Sequence, residues 1–192
     1  MSITLYFTPR SSSTMVHWAL EELGLPYERH RIDLAAGEQK RPDFLALNPN
    51  GKVPALVVDG VAMFESLAML HYLGERFGVA RNLWPEHASP DYPVALSWSV
   101  WSAVTLSPAI FRAAQEPEAR PELGRLLAML DAHLADRPWA AAGRFTLVDI
   151  ALSSKLSVAQ HFKLVDEAAY PNLAPWLARC LERPDRATAV KE

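Results

Sequence analysis

Two kinds of hydrophobic pattern divide the chain near residue 80. The apolar and aromatic run 3–7 has the residue types of a short strand. Apolar positions spaced three and four apart then predict a helix over 15–23, and Gly24 followed by Pro26 is the usual order at a helix end. The candidate N-caps of this helix are Ser11, Ser12 and Ser13.

The same alternation continues to about residue 80. Residues 27–34 have a second strand pattern, and a strand–helix–strand order predicts a right-handed βαβ unit with parallel strands. Asp59-Gly60 separates two apolar runs, so residues 53–64 are predicted to form an antiparallel hairpin. A helix over about 66–77 follows. Residues 1–80 are therefore predicted to form an α/β domain with a four-stranded mixed sheet, which is the thioredoxin-like plan.

Strand patterns stop after this region. Residues 81–90 contain two prolines and are predicted to be a linker. Residues 91–192 are predicted to form an all-α helical-bundle domain. Its expected helices lie at about 91–115, 121–135, 146–162 and 172–183.

One helix start in the second half is marked by four residues. Thr146 and Asp149 have the spacing of a capping box, in which each side chain bonds to the backbone of the other residue. Phe145 and Ile150 stand at the two positions of a hydrophobic staple. We assign these residues a structural role and no chemistry.

Composition excludes several classes of function. The chain has 192 residues, of which half are hydrophobic, and a net charge of −3, so it lacks the basic surface that nucleic acid or an anionic membrane would need. No apolar run approaches the roughly 20 residues that span a bilayer, and no secretory leader is expected. Cys180 is the only cysteine, which rules out an internal disulfide and suits the reducing cytoplasm.

The segment around Pro54 is a candidate binding site. Proline at the start of a strand has no amide hydrogen, which leaves the N–H and C=O of Val53 at the mouth of the sheet, where an extended peptide could pair with them. Ser66 begins an amphipathic segment, so the free amides at that helix start could hold an anion. A peptide-like ligand that carries a carboxylate would suit this place.

Together these motifs resemble the cytosolic glutathione S-transferases along the whole chain. The resemblance rests on the order of five features: 10–13 after the first strand, Asn48-Pro49, Val53-Pro54, Glu65-Ser66 and the Thr146/Asp149 helix start. It implies that Val53 binds the cysteinyl backbone of glutathione, with Pro54 cis. It also implies that Glu65 and Ser66 bind the γ-glutamyl end. The glycyl carboxylate would then lie near Lys52 and near Gln39 or Lys40, and no metal is expected.

The catalytic group would have to stabilise the thiolate of glutathione, because a free thiol has a pKa of about 8.5. A hydroxyl donor at a helix N-terminus can do this. The resemblance to serine-type theta and zeta enzymes assigns this role to Ser11, with Ser12 and Tyr6 as alternatives. Ser12 stands where beta-class bacterial enzymes carry a cysteine, so a mixed disulfide with glutathione at that position is excluded.

The resemblance also implies a second substrate site and an assembly. A hydrophobic electrophile would lie between the two halves against the first long helix, where Trp101 and Thr105 are the candidate contacts. A cytoplasmic homodimer with a role in detoxification is expected.

Several functions fit this pattern. The first is a glutathione transferase that conjugates the thiolate to electrophilic small molecules. The alternatives are a glutathione-dependent isomerase of the maleylacetoacetate type, a dehalogenase, and a non-catalytic binding protein of the same fold. A protein thiol–disulfide oxidoreductase is disfavoured, because the first helix begins without a cysteine.

Overall fold

A computed structural model describes residues 1–191 and contains the predicted mixed sheet and helices. The strands are β1 (Ile3–Phe7), β2 (Glu28–Arg31), β3 (Ala55–Val58) and β4 (Val61–Met63). The helices are α1 (Ser13–Glu22), α2 (Pro42–Leu47), α3 (Ser66–Leu73), α4 (Asp91–Trp101), α5 (Ser107–Gln115), α6 (Arg120–Leu134), α7 (Leu147–His161), α8 (Leu173–Leu181) and α9 (Pro184–Val190).

The described residues form two compact units. The first unit contains residues 1–77 and the segment from Pro184 onward, and the second contains residues 78–183. Helix α9 therefore belongs to the first unit, where it packs against α1. The sequence analysis places the residues from Pro184 onward in the helical domain 91–192 instead. Helical periodicity cannot distinguish the two, because it does not show which surface a helix packs against.

The first unit is built on a four-stranded sheet in the order β2-β1-β3-β4. Strand β2 pairs parallel to β1, as expected of a βαβ unit, and β3 pairs antiparallel to both β1 and β4. Alternate residues of β1 are buried, namely Ile3, Leu5 and Phe7. The sheet therefore has the mixed topology that the sequence predicted.

Helix α1 is enclosed on several sides. It packs against β1, α3 and α9, and seven of its ten residues are buried. The largest of these is Trp18, which is 1% exposed. Helix α2, which the sequence analysis did not predict, brings Phe44 into a smaller core cluster with Ile32 and Ala55.

The second unit is helical, as predicted. Helices α4 and α5 are joined by a π-helical turn over Ser102–Leu106, so Asp91–Gln115 is one continuous helical stretch. By length and composition alone this stretch could cross a membrane. The core helix of a soluble protein passes the same test.

The capping box at α7 has the predicted form. Asp149 Oδ2 accepts hydrogen bonds from the backbone and hydroxyl of Thr146 at 2.8 and 3.1 Å. Its other oxygen accepts bonds from the Ala140 amide and the Trp176 indole, each at 2.9 Å. This fully buried carboxylate therefore joins the start of α7 to α8 and to the segment before α7.

Candidate functional site

Three chain segments meet at one edge of the sheet in the first unit. Leu56 of β3 pairs antiparallel with Met63 of β4, so the residues that follow β4 approach the start of β3. Tyr6 of β1 pairs with Ala55, so the residues after β1 approach the same end of β3. Antiparallel pairing thus brings together the end of β1, the start of β3 and the start of α3.

Val53 stands at the centre of this edge. The Val53–Pro54 peptide is cis, as the resemblance implied. Val53 is half-buried, and its carbonyl oxygen accepts a hydrogen bond of 3.1 Å from the exposed Ser12 hydroxyl. Ser12 therefore lies within one hydrogen bond of the backbone group to which we assigned the cysteinyl residue.

Ser11 has a different environment. Its hydroxyl donates to the Thr8 carbonyl at 2.6 Å, and its oxygen accepts from the Ser13 backbone N–H at 3.1 Å. The Ser11 and Ser13 hydroxyl oxygens lie 2.9 Å apart. A hydroxyl has one proton to donate. Ser11 thus closes the turn that starts α1, while no side-chain capping bond is formed by Ser12.

Asn48 is a part of this site for which the sequence analysis proposed no role. It is buried, and its Nδ2 donates to the Lys52 carbonyl at 2.5 Å and, in a longer contact, to the Pro54 carbonyl at 3.4 Å. Its Oδ1 accepts from the Asn50 amide at 3.0 Å. The side chain therefore fixes the turn on both sides of Val53. The signal was an amide residue directly before a Pro-Asn-Gly turn, where such side chains bond to nearby backbone.

Glu65 and Ser66 stand at the start of α3. Glu65 has φ +67° and ψ 109°, a region that residues other than glycine rarely adopt. Its side chain is exposed beside the first amides of the helix, which have no partner within the helix. Backbone strain at an exposed carboxylate is typical of a functional position. A carboxylate next to free amides can hold a group with both an ammonium and a carboxylate, such as the γ-glutamyl end.

The three polar candidates for the glycyl end lie around the turn at Gly51. Gly51 is in contact with the short 3₁₀ segment that holds Gln39 and Lys40: a Cβ at this glycine would lie 2.9 Å from the Gln39 carbonyl and 2.9 Å from Lys40 Nζ. Lys52 is the next residue and is exposed. The fold thus gathers Gln39, Lys40 and Lys52 near one another, and their contact with a ligand stays a prediction.

Tyr6 is packed within the first unit. Its ring lies against His30 and Phe44, with centroids 5.1 and 6.2 Å away. These contacts are those of a packing residue on a strand, and the alternative catalytic role of Tyr6 stays a prediction.

Trp101 and Thr105 belong to the second unit. Both are half-buried, and the Trp101 ring packs edge-on against Trp98 at 5.1 Å. Their contact with an electrophile stays a prediction.

Comparisons with known proteins agree with this arrangement. The family description "Glutathione S-transferase, N-terminal domain" matches residues 11–76, and "Glutathione S-transferase, C-terminal domain" matches residues 99–184. The disulfide-bond oxidoreductase YfcG of Escherichia coli is 31% identical to this chain, over 98% of this chain and 94% of that protein. Glutathione S-transferase GstB of Escherichia coli is 34% identical, over 91% of this chain and 92% of that protein.

A solved structure agrees as well. The glutathione transferase URE2P8 of Phanerochaete chrysosporium, determined with oxidized glutathione, superposes with a TM-score of 0.86 at 28% identity. The alignment covers 98% of this chain and 93% of that chain. The two family matches and the relatives above 30% identity, together with the fold, establish that this chain belongs to the glutathione S-transferase family.

Proposed function

We propose that the protein binds glutathione at the edge of its sheet and transfers the glutathione thiolate to electrophilic small molecules. The observation that carries the proposal is the 3.1 Å hydrogen bond between the Ser12 hydroxyl and the Val53 carbonyl. A cysteinyl residue paired with Val53 would donate its amide to this carbonyl. The sulfur is three covalent bonds from that amide nitrogen, so it would lie next to Ser12.

The contacts of the three hydroxyls favour Ser12 over Ser11 as the group that stabilises the thiolate. Ser11 and Ser13 are engaged with each other and with the backbone of Thr8. Ser12 is exposed, and its only hydrogen bond among the described residues is to the Val53 carbonyl. The cysteinyl amide would take over that carbonyl, so the Ser12 hydroxyl would turn to the sulfur. A hydroxyl that donates to a thiolate, at the start of α1, lowers the thiol pKa by favouring the charged form.

Reduction of disulfides by glutathione is a second candidate. It is favoured by the likeness to YfcG, which is named a disulfide-bond oxidoreductase. The thiolate of one glutathione would attack the substrate disulfide and release one thiol. A second glutathione would then attack the mixed disulfide, which gives the other thiol and glutathione disulfide. This route needs no protein cysteine, and burial raises the pKa of the Cys180 thiol.

The isomerase and dehalogenase alternatives use the same thiolate and differ only in substrate. A non-catalytic member of the fold would bind glutathione without turnover. A homodimer and a cytoplasmic location remain proposals from the family resemblance.

Titration calorimetry with glutathione tests the binding half of the proposal. A panel of an aryl halide, an organic peroxide, a maleyl substrate and a small disulfide such as hydroxyethyl disulfide tests the chemical half. We expect glutathione binding and turnover of the aryl halide. Turnover of the disulfide alone would favour the second candidate, and binding without turnover would leave only a binding function. Absence of glutathione binding would overturn the proposal.

A further inference from the structure

Asn48 has a geometry that bears on recognition at Val53, and the inference rests on the proposed function. The side chain is 3% exposed and uses both ends of its amide. Nδ2 donates to the carbonyl groups of Lys52 and Pro54, and Oδ1 accepts from Asn50. One buried side chain therefore orients the carbonyls of the residues before and after Val53.

This arrangement determines where the amide of Val53 points. Val53–Pro54 is the only cis peptide bond among the described residues, so the peptide bond between Lys52 and Val53 is trans. In a planar trans peptide the C=O and the N–H point in opposite directions. Because the Lys52 carbonyl points at Asn48, the Val53 N–H points away from it. The Val53 carbonyl meets Ser12 and not Asn48.

We propose that Asn48 is a positioning residue for substrate recognition: it holds the Val53 backbone so that its N–H and C=O are both presented to the cysteinyl backbone of a peptide thiol. It acts through Val53 and has no contact with the sulfur. The site then selects thiols with a peptide backbone over simple thiols, because only these can use both groups.

Asn48→Asp is the sharpest variant. It keeps an oxygen for the Asn50 amide but replaces the donor with an oxygen that faces two carbonyls. Asn50→Asp is the matched control, since it introduces the same charge at an exposed position in the same turn. The ligands are glutathione and its analogue with an N-methylated cysteinyl amide, which cannot donate to the Val53 carbonyl. Calorimetry measures their Kd, and urea unfolding measures stability.

We expect Asn48→Asp to weaken glutathione binding about tenfold or more. The Val53 N–H and C=O would lose their hydrogen bonds to the cysteinyl backbone, and the loss of such bonds between uncharged groups has an effect of that order. The loss for the N-methyl analogue should be clearly smaller, and Asn50→Asp should bind both ligands within about twofold of the wild type. If Asn48 had only a structural role, Asn48→Asp would be less stable and would bind both ligands more weakly by the same factor. That result would overturn the inference. Unchanged glutathione binding by a folded Asn48→Asp would also overturn it.

Hydrogen exchange in the wild-type protein gives a test that does not depend on the variant folding. The Val53 amide should exchange rapidly in the protein alone and become protected when glutathione is added. Glutathione binding that leaves this amide unprotected would refute the inference while the proposed function stands. If the wild type fails to bind glutathione in calorimetry, the proposed function is wrong and the inference falls with it.

Discussion

The hydroxyl of Ser12 donates a 3.1 Å hydrogen bond to the carbonyl of Val53, across a separation of 41 residues in the chain. This bond joins the loop before α1 to the turn before β3. It places a hydroxyl, the start of a helix and the backbone of Val53 in one small region. Each of these groups is common by itself, and the fold contributes their proximity.

Replacing Ser12 with alanine tests its proposed contact with the sulfur. A hydrogen bond to a charged group contributes about 1.5 to 3 kcal/mol. Conjugation by Ser12→Ala should therefore fall about tenfold to a hundredfold. The pH at which activity reaches half its maximum should rise by about one to two pH units. A pH profile of aryl halide conjugation at saturating glutathione measures both effects.

Ser11→Ala is the control for that experiment. Ser11 bonds to Thr8 and Ser13, so its loss should lower the free energy of unfolding by about 1 kcal/mol and leave the pH profile in place. If Ser11→Ala shifts the profile and Ser12→Ala does not, the catalytic assignment returns to Ser11.

The backbone conformation of Glu65 is predicted to lower the stability of the fold, while its carboxylate is predicted to contribute to glutathione binding. Its φ of +67° costs of order 1 kcal/mol or more in a residue with a Cβ. Glu65→Gly relieves this strain, whereas Glu65→Ala removes the carboxylate and keeps the strain. We expect Glu65→Gly to have a free energy of unfolding about 1 kcal/mol above that of Glu65→Ala. Both should bind glutathione more weakly than the wild type, because both lack the partner for the γ-glutamyl ammonium.

Urea unfolding and calorimetry on the two variants measure these effects. Equal stability of the two variants would mean that the backbone at Glu65 is not strained. Unchanged glutathione affinity in both would remove Glu65 from the binding site.

Gly51 is predicted to tolerate no side chain. A Cβ there would meet the Gln39 carbonyl and Lys40 Nζ at 2.9 Å each, and its φ is +58°. Gly37 has a similar φ of +73°, but a Cβ there would have nothing within 4 Å. Both alanine variants should lose about 1 kcal/mol from the backbone conformation. Gly51→Ala should lose about 1 to 3 kcal/mol more from the clash. Urea unfolding of the two variants measures the difference, and equal losses would contradict the predicted contact.

Local patterns were sufficient for most of the fold. The hairpin at Asp59-Gly60 and the capping box at Thr146 depend on residues that are neighbours in sequence, and both formed as predicted. Helix α2 was missed, although Pro42 at its first turn and Asp43 after it are usual at a helix start. The second strand is shorter than the predicted 27–34, because its pairing with β1 covers only Glu28–Arg31.

The choice among the serines could not be made from the sequence. Ser11, Ser12 and Ser13 are consecutive hydroxyls with the same local propensities. Their contacts differ, because Ser13 is buried in α1, Ser11 closes a turn with Thr8, and Ser12 reaches Val53. Only the last of these contacts joins distant parts of the chain, and no local pattern encodes it. The same holds for Asn48, whose proposed role depends on its contacts with the backbone on both sides of Val53.

Asp149 is predicted to make stability depend on pH. Burial raises the pKa of this carboxyl from 3.8 to about 6, against the lowering effect of its hydrogen bonds from Ala140, Trp176 and Thr146. An acid with a raised folded-state pKa ionises first in the unfolded chain. Its contribution to stability is therefore fully present below pH 3.8 and is lost as pH rises to about 6. The loss of unfolding free energy from this group is up to about 3 kcal/mol.

Urea unfolding of the wild type and of Asp149→Asn at pH 4.5 and pH 7 tests this prediction. The other carboxyl groups are common to both proteins, so the free energy of unfolding should fall more between these pH values in the wild type than in Asp149→Asn. Identical pH dependence in the two proteins would mean that Asp149 stays ionised across this range, held by its four hydrogen bonds.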